Sequence, residues 1–201
     1  MASCILVGPS HVHPAHADET VLKEYSKVME IEAHCGMCNF SRHCLDVLTA
    51  AVERAKGRPV VWIVIDWRCG NYDHADLKEH GITDTPSKPG NISSEHITPD
   101  IDSFLIDVQR QIIRKRLETW PNLRVVFWCC YVRTVLGTSW KYEGKYDSII
   151  AEFGSRCIDM RFAISENEVS DCIVDAGGHM NSSGLRRFLN YIYVQQACTC
   201  H

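Results

Sequence analysis

The chain has 201 residues, 45% of them hydrophobic and 23% charged, with a formal net charge of −4. That length suits one domain over residues 1–201, whose folding buries roughly 70% of the unfolded surface without help from disulfides. The acidic balance argues against a nucleic-acid partner, which needs a basic face, and no apolar run is long enough to span a membrane.

Eleven cysteines are an odd number, and the N-terminal segment lacks the basic and long apolar regions of a secretory signal. Cys4, Cys129, Cys130 and Cys157 lie inside apolar segments, where a thiol behaves as a small hydrophobe. A cytoplasmic protein with reduced thiols is expected.

Cys4-Ile5-Leu6-Val7 forms a short apolar run stopped by Gly8-Pro9, which predicts a first buried strand. From Ala17 to Met29 the spacing of Val21, Leu22, Tyr25 and Val28 predicts a helix, and Glu30–Ala33 a second strand. Ser41 suits the cap of a helix running to Lys56, with Gly57 as its stop. Pro59–Asp66 is apolar nearly throughout, as a parallel strand covered on both faces must be. The segment 72–99 is too long for a plain connector and is expected to be an insertion or lid. Thr98-Pro99 predicts a helix start, and that helix runs to Trp120, before Pro121. A strand over Leu123–Val132, a helix over Tyr146–Phe153, a strand over Cys157–Phe162 and a helix over Ser183–Gln195 complete the pattern. The basic cluster Arg110, Arg114, Lys115 and Arg116 falls on a helix and is expected to be a solvated face.

Strands alternating with helices imply an α/β fold in three layers, α/β/α, around a central five-stranded parallel sheet of flavodoxin-like architecture. In such a sheet ligands bind past the carboxyl ends of the strands, where strand order reverses. The residues at those ends are Gly8, Pro9, Ser10 and His11, then His34, Cys35 and Gly36, then Trp67, Arg68, Gly70 and Asn71, and finally Asp175, Gly177, Gly178 and His179. Ser, His and Asp are the types a nucleophile, its base and an orienting carboxylate require, and Gly and Asn donate hydrogen bonds to an oxyanion. Taken singly, Ser10 also fits a turn, and His179 a loop ahead of a helix capped by Asn181 or Ser182.

In this order the blocks resemble the SGNH/GDSL hydrolase family over nearly the whole chain. Ile5-Leu6-Val7-Gly8-Pro9-Ser10-His11 resembles the strand and Gly-Asp-Ser of the family. Val174-Asp175-Ala176-Gly177-Gly178-His179-Met180-Asn181 resembles the Asp-x-x-His block before its terminal helix. The resemblance implies Ser10 as nucleophile, His179 as general base and Asp175 as its orienting carboxylate. It also implies an oxyanion hole of the Ser10 amide, Gly36 and Asn71. Pro9 stands where the family has Asp, the third block reads Cys69-Gly70-Asn71-Tyr72-Asp73, and three residues rather than two separate Asp175 from His179.

The implied activity is an esterase or acyl transferase acting on a small-molecule or glycan ester, O-acetyl groups among them, without cofactor or metal. His11, Trp67 and Arg68 are the expected substrate contacts, since an aromatic ring and a guanidinium suit a sugar or an acidic group. Two alternatives stay open: an inactive, carbohydrate-related binding domain on the same fold, and a zinc module built from Cys35, Cys38, His43 and Cys44.

Overall fold

A computed structural model gives the fold and describes residues 3–34, 40, 42–65, 99–128, 146–174 and 179–198. Its elements in chain order are β1 (Cys4–Gly8), α1 (Glu19–Tyr25), β2 (Met29–Ala33), α2 (Arg42–Ala55), β3 (Val60–Ile65) and α3 (Pro99–Thr119), then β4 (Leu123–Trp128), α4 (Asp147–Phe153), β5 (Cys157–Asp159), α5 (Val169–Cys172) and α6 (Ser182–Cys198). The five strands are all parallel and lie in the order β2-β1-β3-β4-β5. The chain lays β2 on one side of β1 and then returns to lay β3 on the other, so strand order reverses between β1 and β3. This is the flavodoxin-like order, with its ligand crevice at that reversal.

Side-chain alternation along the strands assigns the helices to two layers. On one face, Trp62 of β3 lies under the Arg116 guanidinium of α3, 4.5 Å from its ring centre. On the same face Phe127 of β4 stacks on Tyr146 at the start of α4, and the Cys157 thiol of β5 contacts the Ile149 carbonyl. Arg114 of α3 pairs with Glu152 of α4 across that layer at 2.9 Å. On the other face Trp128 packs edge-on against Phe188 of α6. There α6 meets α1 through Arg186 and Glu24, 3.3 Å apart, and through the Tyr25 hydroxyl, which donates to the Arg186 carbonyl. The sheet is thus covered on both sides, which is why β1, β3 and β4 are apolar almost without interruption.

Several elements differ from expectation. The first helix ends at Tyr25 rather than Met29, because Met29 pairs with Cys4 and joins β2. The last strand stops at Asp159 and turns into a 3-10 segment, Met160–Phe162. Met160 is fully buried there whereas Phe162 is 77% exposed, so continuing the strand would cover nothing more. The helix α2 ends at Ala55, one residue short of the expected Lys56, because Lys56 and Gly57 both turn to positive φ, +49° and +89°, the second at a residue without a Cβ. The short α5 carries no periodic signal in the sequence. Residues 72–98 of the expected insertion, Ser41, Asp66 and 129–132 lie outside the described residues.

Among the described residues Cys4, Cys44, Cys157 and Cys172 are buried thiols. Burial pushes the Cys157 thiol up to about 12. A raised thiol pKa favours the folded state below the ordinary thiol range, and this contribution is lost as the pH rises toward that value. Iodoacetamide at about pH 8 is therefore expected to spare Cys157 in the native protein and to label it in urea, as peptide mapping would show. The packing of α5 on α6 is equally specific. A Cβ on Gly184 would fall 2.6 Å from the Cys172 carbonyl oxygen and 2.9 Å from its Cβ. Gly184→Ala is expected to cost about 1–3 kcal/mol in a urea unfolding measurement.

Candidate active site

The first half of the site is the turn after β1. β1 is hydrogen-bonded to β2 on one side and β3 on the other, and all five of its residues are buried. A 3-10 turn, Ser10–Val12, follows at once. It folds back tightly, with Val12 N–H donating to the Pro9 carbonyl and His13 N–H to the Ser10 carbonyl. Gly8 permits this, since a Cβ there would lie 2.6 Å from Val12 Cγ2 and 2.7 Å from Ile63 Cδ1. Pro9 enters the turn with φ −77°, near the value its ring imposes. Ser10 is thereby left half-buried at the reversal of strand order.

The second half is the loop before α6. Val174 N–H donates to the His179 carbonyl at 2.8 Å, and Asn181 N–H to the Cys172 carbonyl at 2.9 Å. The chain therefore leaves and returns at a fixed point, with Ile173 and Met180 bridged antiparallel. Asn181 caps α6, its Oδ1 accepting from Gly184 N–H at 2.9 Å while its Nδ2 donates to the Asp171 carbonyl at 2.6 Å.

These halves bring Ser10 Oγ and His179 Nε2 to 3.1 Å, across 169 positions of sequence. That is hydrogen-bonding distance for a nucleophile and its base. Two more imidazoles pack on His179. His11 stacks on it at 5.0 Å with the planes 29° apart, and His16 at 4.8 Å with the planes 15° apart. His11 is 3% exposed and also meets the Trp128 ring edge-on, whereas His16 is exposed. The His179 ring is thus stacked by one buried imidazole and one exposed one.

One further contact ties the halves together. The Asp18 carboxylate caps α1, accepting from Thr20 N–H at 2.9 Å and Val21 N–H at 3.3 Å. Its other oxygen accepts from the Ser182 hydroxyl at the start of α6. The Ser182 bond first, and then the Val21 N–H, hold the Asp18 carboxyl below the usual aspartate range.

Of the residues singled out in the sequence, Ser10, His11 and His179 are brought together. Asp175, Gly36, Asn71, Trp67 and Arg68 lie outside the described residues. So do Cys35 and Cys38 of the zinc alternative. Its other two members diverge: His43 lies edge-on to His34, whereas Cys44 is fully buried and its sulfur accepts from Arg116 Nη1 at 3.7 Å. Adjacent helix positions point about 100° apart. Among the described residues no group of three metal-ligating side chains converges, the stacked histidines included. Arg116, expected on a solvated face, is instead buried over Trp62. No local pattern marks His16, Asp18 or Ser182 as members of the site. The one available clue was an Asp at the first turn of the predicted helix.

A depressed carboxyl pKa stabilises the fold above the unfolded value, and this contribution is lost as the pH falls through the folded one. Asp18→Asn should therefore lower the melting temperature at neutral pH. The gap from wild type should shrink below about pH 4, as thermal melts across a pH series would show.

The chain matches no protein-family model and no curated protein sequence at a significant level.

Proposed function

We propose that the chain is a serine esterase or acyl transferase of the SGNH type, acting on a small acyl ester such as an O-acetyl group on a glycan. The observation that carries this is the 3.1 Å approach of Ser10 Oγ to His179 Nε2 at the strand-order reversal. A serine hydroxyl is a weak nucleophile until a base takes its proton. In this function Nε2 accepts that proton as Oγ attacks the ester carbonyl carbon. The imidazolium then returns the proton to the leaving alkoxide, and an acyl group remains on Ser10. Water or a second hydroxyl, deprotonated by His179, attacks the acyl carbon and releases Ser10.

The family resemblance supplies the remaining roles: Asp175 orients His179, and the Ser10 amide, Gly36 and Asn71 stabilise the oxyanion. Trp67 and Arg68 contact the substrate. His11, buried behind His179, acts as support for the base rather than as a substrate contact. The buried thiols suit a reducing, cytoplasmic setting.

Hydrolysis of p-nitrophenyl acetate tests this function. Ser10→Ala should reduce kcat at least about a thousandfold with the fold intact by circular dichroism. Equal rates in both proteins would remove Ser10 from the chemistry. An inactive wild type that nonetheless binds an acetylated oligosaccharide would make the chain a binding domain on this fold.

A further inference from the structure

We propose that His16 is a positioning residue, whose ring, stacked on His179, holds the imidazole with Nε2 on Ser10 Oγ. The proposal rests on the esterase function above and goes beyond it, because no part of the family resemblance involves position 16.

His179 sits on a loop, two residues before the cap of α6. Its side chain has two rotatable torsions, and rotation about either carries Nε2 away from Ser10. A parallel ring in contact opposes that rotation, and His16 lies 4.8 Å from the His179 ring and within 15° of parallel, closer to parallel than His11 at 29°. Against a nearly parallel neighbour the imidazole moves most easily within its own plane. In-plane motion does not flip its edge away from the hydroxyl.

The backbone at His16 is itself held in place. The His13 ring folds the turn, its Nδ1 accepting from Ala15 N–H at 3.1 Å. The N–H groups of His16 and Ala17 both donate to the His13 carbonyl at 2.9 Å. Two residues later Asp18 caps α1 and grips Ser182 of α6. The backbone around His16 is therefore fixed to the same helix whose preceding loop carries His179. An exposed residue on a turn fixed from both sides contributes little to the core, so its replacement should leave the fold intact.

The test compares His16→Ala with His16→Phe, which keeps a planar ring. With p-nitrophenyl acetate, His16→Ala should lower kcat about tenfold, the scale expected when a catalytic group is misplaced slightly. KM and melting temperature should stay close to wild type, and His16→Phe should recover most of the loss. A wild-type kcat in His16→Ala, or a His16→Phe as slow as His16→Ala, would overturn the proposal. A second readout needs no turnover: nuclear Overhauser contacts between the His179 ring protons and the Ser10 β-protons. They should persist in His16→Phe and weaken in His16→Ala. Unchanged contacts in His16→Ala would overturn the positioning role whatever the activity. An inactive wild type whose contacts still respond to His16→Ala would remove the esterase function and leave the positioning role standing.

Discussion

Strand β1 is bonded along both edges, to β2 from Cys4 to Gly8 and to β3 from Ile5 to Val7, and it is buried on both faces. A strand so enclosed cannot shift along its axis without breaking two ladders and turning its side chains to the wrong faces. The residue that follows it is consequently fixed in space before any side chain acts. Gly8 and Pro9 extend this rigidity by two residues, one through the absence of a Cβ and the other through a locked φ. Ser10 is held at the crevice by the sheet itself.

The opposite half depends on a helix instead. His179 is placed by the docking of α6, whose Phe188 packs on Trp128 and whose Gly184 lies against Cys172. Helix packing alone leaves small translations along the helix axis. The Asp18 carboxylate removes this slack, because it caps α1 with one oxygen and receives the Ser182 hydroxyl with the other. One side chain thus fixes the N-termini of α1 and α6 relative to each other, and each lies next to one half of the Ser10–His179 pair. A charge-assisted bond at that point acts on the Ser10–His179 geometry as well as on stability.

The parallel strands were legible in the sequence because burial on both faces leaves unbroken apolar runs: Cys4–Val7, Val60–Ile65 and Leu123–Trp128 are nearly all apolar. Ser10 and His179 could be found because strand ends in such a sheet form its crevice, and because the flanking blocks resemble a known family. Boundaries set by distant partners were not legible. Met29 continues a helical spacing and joins β2 only through its pairing with Cys4. Arg116 lies in a basic cluster, yet its guanidinium is taken up by Trp62 and Cys44, far away in sequence. His16 and Asp18 belong to the site through contacts spanning more than 160 positions, which no local pattern encodes.

Proline at position 9, where the family it resembles has an acid, fits this division of labour. The hydrogen bond position 9 makes within the turn runs through its carbonyl, which accepts Val12 N–H. Any residue supplies a carbonyl, but only proline presets φ near the −77° found here. A turn built on Gly8 and Pro9 takes its shape from covalent geometry and steric fit rather than from a side-chain hydrogen bond. Such a turn keeps the same form whether or not a ligand lies against it. The rigid partner of the pair is therefore Ser10, and the partner whose orientation must be maintained is His179. The imidazoles of His11 and His16 lie against that second partner, where a loop side chain with two rotatable torsions has the greater need of support.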